Sequence, residues 1–487
     1  MAAHGQMRLV HMDLKGAPPK IAYYEQILPL LKKWGATGLL VEYEDMFPYA
    51  DELKDLAAPN AYSKEEIQNL LQLCATYDFT VIPLVQTFGH FEFVLKHEKF
   101  HPLREVPSYP MTLCPLNEDS LKLVQNMIDQ VIALHPGLQW FHIGADEVFH
   151  IGICKRCHKY MQSQGLAPHH MFFEYVHKVL LYIKEKYPHV KALMWDDMYR
   201  DLDVNTIKES GLGQLVEPVI WYYQRTFSLP PNLWETYSQV FDSIWIGTAF
   251  KGATGPCMFV TDAGYHVENH RGWLEIMAQQ ASKFKNFRGY CLTGWQRYDH
   301  YSMLCELLPV GLPSLAMCLL TLKAGSFTEE VHREASTDLG FMELLPLNPF
   351  KSIGNIPQCS FPGSAVYVGA QVLLFFKQEY KLFMKNERMN GWMTEYHVKH
   401  NFTNPAHLKH FLQPAKQLQE QLMNLESDLQ RSLSEVFYPD AVDEWLEVVL
   451  RPKIEKISEI VSTTEKQVAL GARVKDCNIE NERSMQE

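Results

Sequence analysis

An alternation running through most of the chain constrains its fold more than any other feature. Between residues 8 and 320, short β-branched or aromatic runs are separated by longer stretches with apolar side chains three and four positions apart. The strand candidates are Arg8–Asp13, Gly38–Tyr43, Phe79–Val85, Trp140–Gly144, Lys191–Trp195, Val216–Trp221, Ser243–Thr248 and Arg288–Leu292. The helices predicted between them include Ala22–Trp34, Lys64–Tyr77, Ser120–Leu134, Phe172–Lys186 and His270–Phe284. Ile67, Leu70, Leu71 and Cys74 mark one such apolar stripe. Ser63 with Glu66 three residues on forms a capping box, and Pro168 opens a further helix. Nearly continuous apolar strands alternating with helices imply a parallel sheet covered on both faces. Eight such units predict a closed (β/α)8 TIM barrel over residues 1–325. An open doubly wound sheet would carry a glycine-rich first turn, and Leu14-Lys15-Gly16-Ala17-Pro18 is not one.

Beyond residue 325 the alternation stops. Residues 326–487 read as a C-terminal helical region, with long helices over 365–387 and 405–470. A stripe of Leu412, Leu418, Leu422 and Leu425 serves either as core or as the seam of a homodimer. The last fifteen residues are charged and poor in apolar side chains, which predicts a frayed, disordered end. Composition narrows the partners. With 47% hydrophobic and 21% charged residues the chain is globular, and a net charge of −12 leaves no basic stripe for nucleic acid. The most apolar window, Ala365 to Phe376, is too short to cross a membrane. The start MAAHGQMRLV lacks the basic and apolar regions of a secretory signal, and ten irregularly spaced cysteines suit a reducing compartment. Both point to the cytoplasm, with the nucleus also open to the chain, and leave the sequon Asn401-Phe402-Thr403 unused.

In a barrel of this kind, chemistry is carried where strands end and βα loops begin. Those positions hold Asp13, then Glu42 and Glu44, then the stretch from Gln86 to His90. Asp146 and Glu147 follow the fourth strand candidate, Trp195 to Asp197 the fifth, Trp221, Tyr222 and Tyr223 the sixth, and Trp295, Arg297, Tyr298 and Asp299 the eighth. Carboxylates facing a ring of Trp and Tyr suit a sugar, whose apolar face stacks on aromatic rings while its hydroxyls meet charged groups. The adjacent acids Asp146 and Glu147 carry the sharpest signal, because two carboxylates at one strand end are costly without a purpose. The alternative is that one caps the following helix and the other pairs with a base. A carboxyl in a half-apolar cleft keeps its proton to higher pH and can donate it near neutrality.

The segment His142-Ile143-Gly144-Ala145-Asp146-Glu147 resembles the fourth-strand signature His-x-Gly-Gly-Asp-Glu of the family 20 glycoside hydrolases, the β-N-acetylhexosaminidases, with Ala145 in place of the second Gly. Pro83-Leu84-Val85-Gln86-Thr87-Phe88-Gly89-His90 is similar to the family's third-strand Pro-Glu-x-Asp-x-Pro-Gly-His, with Gln86 in place of an acid. Trp195, Trp221 and Trp295 stand where the family places its pocket tryptophans. The resemblance covers roughly residues 5–325 and points to the family's nucleocytoplasmic branch. It implies substrate-assisted, exo-acting and retaining hydrolysis of terminal GalNAc or GlcNAc β-glycosides, with the substrate's 2-acetamido oxygen as nucleophile. Glu147 would then be the general acid and base, Asp146 would orient and stabilise the acetamide, and His90 would support the acid. The remaining substrate-binding candidates are Asp13, Trp195, Trp221, Tyr222, Tyr223, Trp295 and Arg297, with no cofactor and no metal in the chemistry.

The chain departs from the family pattern in three places. The first-strand Arg is missing, with only Lys15 nearby, and Ala249-Phe250-Lys251-Gly252 lacks the seventh-strand Tyr, which Tyr222 or Tyr223 would replace. Arg297 stands where an acid is common. Two competing readings remain: a non-catalytic sugar-binding barrel, and a two-carboxylate retaining glycosidase using Glu42, Asp197 or Asp299 about 5 Å from Glu147. Cys154-Lys155-Arg156-Cys157-His158 has the c-type haem pattern, which would require export. Zinc bound by His150, Cys154, Cys157 and His158 has tolerable spacing, but a second CxxC half is missing, so ordinary or mildly redox-active thiols are favoured. Asp196-Asp197 suits a sugar-hydroxyl contact or an ion pair better than a metal.

Overall fold

The computed structural model describes residues 6–475 of the 487. Eight parallel strands close into a barrel: β1 (Met7–Asp13), β2 (Gly38–Glu42), β3 (Thr80–Leu84), β6 (Trp140–His142), β7 (Lys191–Trp195), β8 (Val216–Trp221), β9 (Ser243–Lys251) and β10 (Asn286–Gly294). Strand β1 pairs with both β2 and β10, which closes the ring. The expected TIM barrel is therefore present, and every strand candidate overlaps one of these strands. Its interior is filled by side chains from alternate positions, among them Leu9, Leu40, Ile82, Leu193, Val219 and Trp245, while Trp140, Trp221 and Trp295 pack against them from the rims.

Local signals act as predicted at several helix starts. Ser63 Oγ accepts the Glu66 N–H at 3.1 Å while Glu66 returns a bond to the Ser63 N–H at 2.8 Å, so the helix Lys64–Thr76 begins with a full capping box. Pro168 opens the helix Pro168–Lys186. One element is not visible in the pattern. Between β3 and β6 the chain forms an antiparallel hairpin, β4 (Arg104–Val106) and β5 (Tyr109–Leu113), too short and polar to show a period of two.

The chain divides into two compact units. The first runs to Pro349 and adds Pro357–Ser364 and Glu435–Ala441; the second takes Phe350–Ile356, Ala365–Ser434 and the chain from Val442 onward. Within the second, the predicted run over 405–470 is three helices, Pro405–Val436, Pro439–Val449 and Arg451–Leu470. Pro439 and Pro452 fall in the first turns of new helices, where a missing N–H costs no ladder bond, whereas Pro414 is carried inside the helix Pro405–Val436. The leucine stripe is buried at Leu418, Leu422 and Leu425 and continues through Leu408 and Phe411, so Leu412 sits one position off the seam. Gly369 on the helix Ser364–Met384 lies directly against Leu429, so the stripe is core within this unit. The frayed end expected over the last fifteen residues falls mostly at 476–487, outside the described residues. No helix among the described residues is long and apolar enough to cross a membrane.

Candidate active site

The fourth barrel strand, β6, stops at His142, two residues before the predicted end, because the backbone turns left-handed there. Gly144, Ala145 and Glu147 have φ of +63°, +62° and +45°. At Gly144 only glycine serves: a Cβ would sit 2.0 Å from the Gln86 Oε1 atom. At Ala145 the chain accepts a conformation that disfavours side chains. The two acids thus lie on a loop and not along a pleat, and their difference arises from burial. Asp146 is buried, while the Glu147 side chain is 42% exposed.

A single imidazole joins them. His90 Nε2 lies 3.5 Å from Asp146 Oδ2 and 3.3 Å from Glu147 Oε2. Burial disfavours a charge on His90, but the Asp146 charge and hydrogen bonds to both acids outweigh it and raise its pKa well above the histidine range. Gln86, at the family's acid position, donates Nε2 to Asp146 Oδ1 at 3.2 Å. Behind the loop, Asp197 accepts the Glu147 main-chain N–H at 2.8 Å and the Trp221 indole N–H at 3.2 Å. Burial, followed by the charge of Asp146, pushes the Asp197 carboxyl up to about 7. Its neighbour Asp196 is held in an ion pair by Arg200 and accepts the Tyr237 hydroxyl.

These groups open into a cleft of about 770 Å³, its mouth included, at the C-terminal end of the barrel. Trp195, Trp221, Trp295 and Tyr223 form its aromatic wall, with Trp221 and Tyr223 stacked at 5.1 Å and Tyr223 edge-on to Trp295 at 6.5 Å. Lys15, Glu42 and Arg297 also line the cleft. Lys15 Nζ sits 3.1 Å from both Asp13 and Glu42 and 5.0 Å from the centre of the Trp295 ring. Burial opposes its charge, but Asp13, Glu42 and Glu44 raise its pKa well above the usual value. The Arg297 guanidinium rests on Gly16, where a Cβ would meet it at 2.2 Å, and donates to the Ser302 carbonyl at 2.5 Å.

Over 461 residues the chain is 42% identical to hexosaminidase D of Homo sapiens, covering 94% of each. It belongs to glycosyl hydrolase family 20. The profile of that family's catalytic domain matches residues 24–214. Hexosaminidase D of Bos taurus is 47% identical over 341 residues, 69% of this chain and 98% of that one. A solved β-N-acetylhexosaminidase of Bacteroides fragilis, 14% identical, matches 68% of this chain and 69% of its own with a TM-score of 0.49.

For a family 20 glycoside hydrolase predicted from sequence, the cleft gathers His90, Asp146, Glu147, Trp195, Trp221, Tyr223, Trp295 and Arg297. It omits two candidates. Asp13 lies beneath the floor, accepting the Gln296 N–H at 2.7 Å and holding Lys15. Tyr222 packs its ring on Phe227 at 5.2 Å, and its carbonyl is taken by Asn269 and Trp273, because neighbouring residues at a strand end face opposite ways. The cleft also contains groups outside the catalytic and substrate-binding candidates: Lys15, Glu42, Gln86, Tyr298, Gly252 and Ala253. Glu42 and Gln86 were legible as strand-end residues. Tyr298 was legible in the same way, after the eighth strand, whereas Ala253 enters through loop geometry, for which the sequence carries no periodic signal.

Proposed function

We propose that this enzyme removes terminal, non-reducing N-acetylhexosamine, GalNAc or GlcNAc, from β-glycosides with retention, using the substrate's own 2-acetamido oxygen as nucleophile. The observation carrying this reading is the Asp146–Glu147 pair, unequally buried, joined by one imidazole and facing Trp195, Trp221, Trp295 and Tyr223. Glu147, on the exposed side, protonates the departing glycosidic oxygen and then takes a proton from water. Buried Asp146, held by Gln86 and His90, accepts the acetamide N–H and offsets the positive charge of the cyclised intermediate. Tethering replaces an enzyme nucleophile through an effective molarity on the order of 10⁵ M or more. Tyr223 is the hydroxyl available in place of the missing seventh-strand Tyr, and burial holds its pKa far above the usual tyrosine value, so it remains a donor. Lys15 stands in for the missing first-strand Arg.

The two-carboxylate reading is disfavoured by the state of its candidates. Glu42 is clamped by Lys15 and His11, Asp197 is committed to the Glu147 backbone and Trp221, and Asp299 accepts the Tyr301 and Ser302 N–H groups outside the residues lining the cleft. The unpaired thiols among the described residues support a reducing compartment such as the cytoplasm or nucleus. A thiazoline built from GalNAc or GlcNAc tests the mechanism. It should inhibit competitively and far more tightly than the parent sugar, because it mimics the cyclised intermediate. Aryl β-glucosides and 2-deoxy-2-fluoro glycosides should be neither cleaved nor trapped. A stable adduct on any carboxylate, detected by mass spectrometry, would overturn the reading.

A further inference from the structure

Away from the cleft, the β4–β5 hairpin and the helix Lys155–Gln164 bring together three thiols and a carboxylate: Cys114, Cys154, Cys157 and Glu105. We propose that these four residues form a structural zinc site. Their donor atoms all lie within 4.8 Å of one another. Cys114 Sγ is 3.5 Å from Cys157 Sγ and 3.7 Å from Cys154 Sγ, and Cys157 Sγ is 3.3 Å from Glu105 Oε2. A tetrahedral zinc ion with bonds of about 2.3 Å to sulfur and about 2.1 Å to oxygen separates its ligands by about 3.5–3.8 Å. The donors therefore need only small adjustments to enclose an ion.

The surroundings fit a structural ion. Glu105 and Cys157 are fully buried, Cys114 is 3% exposed and Cys154 is half-buried, so a carboxylate and three thiols converge largely out of solvent, an arrangement that a cation would stabilise. The helix Lys155–Gln164 begins here: Cys154 is its N-cap and its sulfur accepts the Cys157 N–H at 3.4 Å, while the Cys154 N–H donates to Glu105 Oε1 at 2.9 Å. These N–H groups and the positive end of the helix offset the negative charge that thiolates bring. On binding, the thiols release their protons to solvent while Glu105 enters as a carboxylate.

The CxxC pair was visible in the sequence, but its supposed partners are not used. His150 and His158 are exposed and lie outside the group, and the His150 ring packs on Tyr109 at 5.0 Å. The missing half comes instead from the hairpin, about forty residues earlier in the chain. Such an ion ties hairpin and helix to the loop carrying Asp146 and Glu147, alongside the bond from Thr112 Oγ1 to the Phe149 carbonyl at 2.7 Å. It takes no part in the chemistry. The assignment stands apart from the proposed mechanism, so Glu147→Gln should lose most turnover of glycosides with poor leaving groups and leave the metal in place.

Elemental analysis of the full chain, purified without chelator, should find about one zinc per chain, and chelation should lower the melting temperature. Cys114→Ser and Cys157→Ser should reduce zinc to below about a tenth of that level, whereas Cys154→His and Glu105→His should retain it, since imidazole also ligates zinc. Cys257→Ser, at an exposed thiol elsewhere, should retain it fully. Cobalt exchanged into the site should show thiolate charge-transfer absorption, reduced by about a third in Cys154→His. The proposal is overturned if the folded wild-type chain holds no zinc after incubation with the metal. It is equally overturned if folded Cys114→Ser keeps its full zinc, or if peptide mapping finds Cys114 and Cys157 joined as a disulfide in the freshly isolated protein.

Discussion

Asp197 accepts the main-chain N–H of Glu147 at 2.8 Å, so a carboxylate on the loop after β7 holds the backbone of the proposed acid at its φ of +45°. Its other oxygen receives the Trp221 indole N–H, and one side chain thereby positions both the acid and a wall of the cleft. Asparagine offers only one acceptor oxygen. Asp197→Asn should lower kcat by about 10- to 100-fold, the scale of a small misplacement of a reacting group, with a smaller change in KM. The Asp197 carboxyl is pushed up to about 7, so acidification through that pH turns an acceptor into a donor. Wild-type kcat should fall on that side, and the variant should lack this limb of the profile.

Glu147→Gln should abolish most activity on glycosides with poor leaving groups and much less on activated aryl glycosides, since a good leaving group needs little protonation. Equal losses on the two classes would contradict the acid role.

Asp146→Asn should lower kcat far more than it raises KM, because the carboxylate charge matters chiefly as the acetamide becomes cationic. Steady-state kinetics on a single aryl substrate will check it. An effect confined to KM would reduce Asp146 to a binding residue.

His90 should leave a mark on stability as well as on turnover. Its pKa is raised in the folded protein, against about 6.5 in an unfolded chain. The folded state therefore binds more protons above pH 6.5, and the stabilisation is complete below that value and lost as pH rises through the folded pKa. Urea midpoints of the wild type should decline across that upper window, while those of His90→Gln should be flatter.

Ala145 occupies the left-handed region at φ +62°, a conformation costing a residue with a Cβ about 1–2 kcal/mol. Ala145→Gly relieves this at the expense of unfolded-chain entropy, so a net gain of about 0.5–1 kcal/mol is expected. Denaturant unfolding will measure it, and kcat should be unchanged within about twofold because φ already suits glycine.

The barrel was legible because its signals are local. Strands buried on both faces read as apolar runs, helices as a 3.6-residue stripe, and caps such as Ser63 and Glu66 require only neighbours in sequence. The adjacency of Asp146 and Glu147 and the placement of Trp195, Trp221 and Trp295 at strand ends are likewise properties of the sequence alone. Where strand ends give way to loops, that logic stops: of Tyr222 and Tyr223 only the second faces the cleft, and Asp13 works beneath Lys15. Which of two neighbours turns inward depends on φ angles and on partners such as Phe227 and Gln296, drawn from distant parts of the chain.

Sequence alone thus determined the (β/α)8 architecture and the acid pair, because each follows from the order and spacing of residue types. Tertiary structure decided the rest: that His90 joins the two acids, that Asp197 clamps the Glu147 backbone, and that Cys114 and Glu105 meet Cys154 and Cys157. Those contacts join residues about 40 to 60 positions apart. They arise only after barrel closure has brought the ends of separate strands to one face, a geometry no local pattern encodes.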